Sequence, residues 1–354
     1  MGPKSQSPSR ATPSRDDQTE RRRLQMADIA RLAGVSVSTV SRALNGSPLV
    51  NAETRERVAT LARSLNYSIN LGAKNLRLQR NQTIAVVIPY DAASRQHISD
   101  PFFLSMLGSL ADALTDRGYD MLVSRVDAES LDAAAQLYDS GVALGIVLIG
   151  QWRHHDQLNA LAARRVPLVV WGAQLPQQLY CSVGGDNVLG GRLATAHLLG
   201  QGRRRIVFLG DPQLPEVAHR LKGYRQALKA QQVAERTELE LAVPFDVASA
   251  RAGIEALLDQ GVAFDAVLGC SDLLAITAMQ VLRERGLRVP QDVAVVGYDD
   301  MALAAYCDPP LSSISQPVRL AGVALIDALL ALLQDQPAPP RTLPVSLVVR
   351  RSSG

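Results

Sequence analysis

The chain has 354 residues, 47% of them hydrophobic, and a formal net charge of +3. That length exceeds one ordinary core and suits two or three domains, and the apolar content excludes a wholly disordered chain. No apolar run approaches the roughly 18 residues of a membrane span. The Ser-, Pro- and Arg-rich N-terminus lacks the apolar stretch of a secretory signal. The three cysteines, Cys181, Cys270 and Cys307, form no C-x-x-C, so a reduced, cytoplasmic setting is expected.

The charge is unevenly placed. Residues 1–82 hold 14 Lys and Arg against 6 Asp and Glu, a surplus of eight, and the remainder holds 23 against 28, a deficit of five. A basic end on an acidic body suits a nucleic-acid arm joined to a separate domain, although a solvated basic tail would give the same numbers. Residues 1–25 read as a disordered basic tail.

Three short helical patterns follow within residues 26–67. Ile29, Leu32 and Ala33 share one face, Val37, Val40 and Leu44 a second, and Val58, Leu61, Ala62 and Leu65 a third. Ser36 and Asn51 are suited to cap the second and third helices. Gly34 sits where a sharp turn needs positive φ. Together they predict an all-α helix-turn-helix headpiece, with Ser36, Val37, Ser38 and Thr39 opening the helix that can enter a major groove. Residues 68–82 form a polar, basic connector with a few apolar positions.

From residue 83 to 354, apolar runs alternate with helical patterns. The runs are Ile84–Pro89, Met121–Val123, Ile146–Ile149, Leu168–Trp171, Ile206–Leu209, Ala266–Leu268 and Val293–Val296. Fully apolar strands separated by helices predict parallel sheets covered on both faces, and about 270 residues of that pattern suit two doubly wound α/β subdomains better than one.

The segment from Asp28 to Asn45, Asp-Ile-Ala-Arg-Leu-Ala-Gly-Val-Ser-Val-Ser-Thr-Val-Ser-Arg-Ala-Leu-Asn, closely resembles the headpiece of the lactose-repressor/galactose-repressor (LacI/GalR-type) family of transcriptional regulators. The resemblance continues through Val50, Thr54, Arg55, Val58, Leu65, Asn66 and Tyr67 and over nearly the whole chain beyond. It implies that Val37 and Ser38 read bases, with Arg42 one turn later, and that Ser36, Thr39, Ser41 and Asn45 set phosphate register. Val37 offers only an apolar contact, such as to a thymine methyl. The connector matches the family's hinge helix at Ala73-Lys74-Asn75-Leu76. There Leu76 would wedge into the minor groove, with Lys74 and Arg77 beside the backbone. The family's Tyr-x-Pro-Asn appears here as Tyr67-Ser68-Ile69-Asn70, which removes a fixed φ before the hinge.

The larger domain is similar to the family's periplasmic-binding-protein-like module. The matching stretches are Ser99-Asp-Pro-Phe-Phe103, Val183-Gly-Gly-Asp-Asn-Val-Leu-Gly-Gly191, His219–Leu228, Val295-Val-Gly-Tyr-Asp-Asp300 and Pro309–Pro317. The resemblance implies that Arg220 and Asp299 bind a small-molecule effector, where an Arg fork and a carboxylate suit a sugar-like polyol. A structural salt bridge would equally explain that pair. Phe245 stands where an aromatic stacks on the sugar, although a lone Phe is as often core. Ser271 and Asp272 replace the usual Asn-Asp pair, and Phe103, Gln151 and Trp171 are further candidates. An insertion at Tyr90–Ile98 and the stretch Val166–Gly172 depart from the family pattern. His154-His155 lacks metal-ligand spacing and reads as a surface loop.

The expected protein is therefore not an enzyme. It binds a double-stranded DNA operator as a homodimer, most simply as a repressor, needs no cofactor or metal, and acts in the cytoplasm at the bacterial nucleoid. An enzyme acting on a sugar or nucleotide finds no G-x-G-x-x-G, G-x-x-x-x-G-K-[ST] or G-x-S-x-G in this chain. A secreted sugar-binding protein is opposed by the headpiece itself. The end of the chain has no apolar heptad of the kind that tetramerises some relatives.

Overall fold

The structure, a computed structural model, describes residues 26–44, 47–65, 81–90 and 96–354. The basic tail, Asn45 and the hinge residues Lys74, Leu76 and Arg77 lie outside the described residues. The chain divides into two compact units, residues 1–80 and 81–354.

The first unit holds α1 (Met26–Ala33), α2 (Val37–Leu44) and α3 (Ala52–Ser64). Gly34 adopts φ +65° and ends α1. Its N–H reaches Arg31 O at 3.4 Å, and the Val35 N–H reaches Ala30 O at 3.0 Å, the paired bonds of a Schellman turn. Both expected caps form: Ser36 Oγ accepts the Thr39 N–H at 3.1 Å, and Asn51 Oδ1 accepts the Thr54 N–H at 2.8 Å. The core is Ile29, Ala30, Ala33, Val40, Ala43, Val50 and Val58. Leu32, which shares the apolar pattern of α1, is 57% exposed, and Val37, the expected base-contacting residue, is 45% exposed. At about 100° per residue the face centred on Ile29, Ala30 and Ala33 turns Leu32 away. Ala30 and Ala43 are buried in this core and let the helices cross closely.

The second unit contains two sheets. The first joins β1 (Thr83–Tyr90), β2 (Asp120–Asp127), β3 (Gly145–Ile149), β4 (Leu168–Trp171), β5 (Cys181–Gly185) and β11 (Arg341–Leu343). Its order is β11-β5-β4-β3-β1-β2, and every pairing is parallel. The second joins β6 (Ile206–Leu209), β7 (Glu240–Leu241), β8 (Ala266–Gly269), β9 (Ala294–Asp299), β10 (Ser312–Ser315) and β12 (Ser346–Val348). Its order is β12-β10-β9-β8-β6-β7, with only β12 antiparallel. Ile84, Val86 and Ile88 face one core of the first sheet while Ala85 and Val87 face another, so the strands are apolar on both sides.

Helices cover both sheets: α4 (Pro101–Thr115), α5 (Asp132–Asp139), α6 (His155–Ala163), α7 (Asn187–Gly200), α8 (Pro215–Ala230), α9 (Val247–Asp259), α10 (Asp272–Glu284) and α11 (Val318–Leu333). The chain passes between the sheets three times. It leaves β5 for α7, which packs on the second sheet's core through Ala194 and Leu198; α11 returns to the first through Ala321 and Leu325; β12 follows β11 back again. Where α7 meets α8 there is no room for side chains. A Cβ on Gly191 would lie 2.0 Å from Arg220 O, and one on Gly223 would lie 2.0 Å from Val188 O. That close approach fixes where Arg220 emerges.

Strands β5 and β10 escape an apolar-run reading because their sequences, Cys-Ser-Val-Gly-Gly and Ser-Ser-Ile-Ser, are small and polar. They are central all the same. Ser312 and Ser313 are buried and satisfied, the first by Ser352 Oγ, Ser353 Oγ and the Arg350 backbone, the second by Asp272 and the Asp300 N–H.

Candidate functional site

A cleft opens between the two sheets. Its lining follows the C-terminal ends of β1, β3, β4, β6, β7, β8, β9 and β10, the position where open α/β sheets hold ligands. Phe102, Phe103, Trp152, Trp171 and Phe245 line it, five of the seven Phe and Trp in the chain. Phe102 lies 6.0 Å from Phe103 and 6.2 Å from Trp171, centroid to centroid. Flat aromatic faces suit the C–H faces of a sugar ring.

Arg220 projects from α8 into this cleft, and its guanidinium is heavily committed. Nε donates to Asn187 Oδ1 at 2.8 Å, Nη1 donates to Cys270 O, and the group sits 3.7 Å above the Tyr298 ring. Asp299 ends β9 facing it, and Gln316 Nε2 donates to its Oδ1 at 2.7 Å. Asp299 holds φ +104°, a strained conformation for a residue other than glycine, and Asp300 follows at φ +52°. Burial pushes the Asp299 carboxyl well above the usual carboxylate range, with Arg220 opposing the shift. The pair thus offers a donor fork and a buried carboxyl.

Of the expected effector residues, Arg220, Asp299, Phe245, Ser271, Phe103 and Trp171 lie on the cleft. Two others do not, and their roles are corrected. Gln151 is buried and clamps backbone: its Nε2 donates to Ala173 O at 2.6 Å and to Tyr180 Oη at 2.9 Å, while its Oε1 accepts the Ala173 N–H at 2.8 Å. Asp272 accepts the Ser313 hydroxyl at 2.6 Å and the Met301 N–H at 2.7 Å, and burial pushes its carboxyl up to about 7. It braces the turn after β9 beneath Asp299. His155 is no loop residue; it starts α6, with Nδ1 2.9 Å from Tyr180 Oη and Nε2 3.1 Å from Pro176 O. Among the described residues no cluster of His, Cys, Asp or Glu could hold a metal ion.

Several lining residues were not singled out from sequence: Gln96, Asp100, Phe102, Trp152, Glu216 and Gln316. Helical periodicity could have found Glu216, which stands four residues before Arg220 on one face of α8. Burial raises its carboxyl, with Arg220 among the groups opposing the shift.

On the headpiece, Ser36, Val37, Ser38 and Arg42 are exposed, and Thr39 and Ser41 half-buried. The Ser36 hydroxyl lies 2.8 Å from both Ser38 Oγ and Thr39 Oγ1, so the first turn of α2 presents a linked set of short polar groups around one apolar side chain, Val37. Small polar groups at a helix N-terminus can approach phosphate and base edges closely.

Comparison with known proteins agrees with both units. The model of the lacI family of bacterial regulatory proteins matches residues 25–70, and that of the periplasmic binding protein-like domain matches residues 195–353. The HTH-type transcriptional regulator CelR of Thermobifida fusca is 36% identical over 338 residues, covering 93% of this chain and 96% of the relative. The ribose operon repressor of Haemophilus influenzae is 33% identical over 322 residues, covering 90% and 94%. Among solved structures, a CelR–cellobiose complex superposes with a TM-score of 0.69 at 32% identity, covering 93% of this chain and all of that one. A lac repressor dimer bound to operator and an anti-inducer reaches 0.79 at 28% identity, covering 93% and 99%. These relatives are transcription regulators rather than enzymes, and the chain belongs to the lacI family of bacterial regulatory proteins.

Proposed function

We propose that the chain is a transcriptional repressor that grips a near-palindromic operator as a homodimer and loosens or tightens that grip when a sugar enters the cleft. The observation that carries the effector half is the Arg220–Asp299 pair set among five aromatic side chains. A fork of donors, a carboxyl and flat apolar faces together suit a polyhydroxy ring.

In this reading residues 26–67 are the DNA-binding headpiece, 68–82 the hinge and linker, and 83–354 the effector-binding and dimerisation domain, with 1–25 a basic tail. Val37 and Ser38 read base edges and Arg42 reaches further along the groove. Ser36, Thr39, Ser41 and Asn45 hold phosphate register. Leu76, flanked by Lys74 and Arg77, wedges into the minor groove at the operator centre. Two-fold protein symmetry then imposes two-fold site symmetry. Closure of the two sheets on a sugar alters the hinge and shifts the DNA-bound population, with a coupling of about 1–3 kcal/mol. The protein works in the cytoplasm, on the nucleoid.

Retention of a duplex pool on the full chain, from about 50 to about 200 mM salt, tests this. Affinity should fall by about 10³-fold or more, and at least one sugar should change it about 5- to 150-fold. Binding indifferent to salt and to every sugar would overturn the proposal.

A further inference from the structure

Among the described residues, the cleft is lined by one cation, Arg220, and three carboxyl groups, those of Asp100, Glu216 and Asp299. The cation is already in use: Asn187, the Cys270 carbonyl and the Tyr298 ring take up its faces and edges, and Asp299 shares its charge.

Anions have a second usual way to bind, at helix N-termini whose free N–H groups point outward. Two helices open onto this cleft with acidic lining residues at their starts, Asp100 at α4 and Glu216 at α8. At α4, Asp100 Oδ1 accepts the Phe102 N–H at 2.9 Å, and Gln96 Nε2 lies 3.4 Å from Oδ2. At α8, Glu216 stands in the first turn and lines the cleft beside Leu214. Next to Phe245 the same device recurs, with Asp246 capping α9 through the Ser249 N–H at 2.8 Å. Ser271, at the start of α10, spends its hydroxyl on the Leu274 N–H at 3.2 Å. A ligand carboxylate or phosphate would meet carboxyl groups where it needs donors.

We infer that this cleft selects against negative charge, with Asp100, Glu216 and Asp299 as the selecting groups, so that its effector is an uncharged sugar rather than a uronate, an aldonate or a sugar phosphate. The inference rests on the sugar-effector reading above. Hydroxyl groups can donate to these carboxyls and accept from what remains of the Arg220 fork; an anionic group can only accept. Selection by repulsion needs no extra contact with the favoured ligand, since specificity is a difference between two affinities.

Matched pairs test it: glucose against glucuronate and glucose 6-phosphate, galactose against galacturonate, and cellobiose against cellobionate, each titrated onto the full chain by thermal shift and calorimetry. At least one neutral sugar should stabilise the protein, and its acidic counterpart should bind at least tenfold more weakly. An acid that binds as well as its neutral partner overturns the selection while leaving the sugar reading intact. No response to any sugar overturns that reading and the inference with it. In Glu216→Gln and in Asp100→Asn the neutral-to-acid ratio should shrink about tenfold or more. A ratio equal to that of the unaltered chain in both variants removes these carboxyls as its cause.

Discussion

Arg153 Nη2 lies 2.7 Å from Asp211 Oδ2, joining the loop after β3 to the loop after β6 across the cleft. It is a fastening between the two sheets. Arg153 is half-exposed, so the ion pair contributes only about 0–1 kcal/mol. Asp211→Asn should therefore weaken effector binding by up to about fivefold, without lowering the melting temperature of the ligand-free protein appreciably. Calorimetric titration checks it. An affinity equal to that of the unaltered chain would mean the pair takes no part in closure.

Arg220 joins α7, β9 and the loop after β8 through a single side chain. Arg220→Ala leaves Asn187 Oδ1 and the Cys270 carbonyl without this donor, which costs about 1–3 kcal/mol of stability. Removing Arg220 also removes the cation that opposes the upward shift of the Asp299 carboxyl, which then rises further. The variant should fold, melt at a lower temperature and show no sugar response in a DNA-binding titration. A retained response would place effector recognition elsewhere.

Asp272 gives a pH signature. Its carboxyl in the folded chain titrates at about 7, above its value in the unfolded chain, because burial penalises the anion. The folded state therefore keeps a proton that the unfolded state has released. Its contribution to stability is complete below about pH 4 and lost as pH rises through 7. Asp299 and Glu216 are shifted in the same direction. Asp272→Asn should flatten the fall in melting temperature between pH 5 and pH 8, and an unchanged slope would assign that fall to the other carboxyls.

Much of this was legible in the sequence where one residue type has one physical use. Gly34, Ser36 and Asn51 mark a positive-φ turn and two caps, and each does that work. The apolar strands announced two-sided sheets. Strands β5 and β10 stayed hidden because Gly and Ser are buried there through hydrogen bonds and close backbone packing, which no hydropathy pattern records. At the cleft, Arg220 and Asp299 were marked by motif, but a polar side chain at a strand end has two uses. Asp299 faces the cavity, whereas Asp272 and Gln151 turn inward to satisfy backbone groups. Only the three-dimensional path of the loops separates those cases.

The headpiece makes its own prediction through Gly34, whose φ of +65° costs a residue with a Cβ about 1–2 kcal/mol. In Gly34→Ala the amides of α1 and α2 should exchange with solvent about 5- to 30-fold faster, while those of residues 81–354 keep their rates. Unaltered exchange in α1 would show that the turn tolerates a side chain.

Selection of bound duplexes from a fully randomised library on the intact chain tests most directly whether α2 reads DNA sequence. The recovered sequences should converge on a motif with approximate two-fold symmetry, and Ser38→Ala should change the preferred bases within each half. A pool that remains random after repeated rounds at low salt, with and without sugars, would contradict the account.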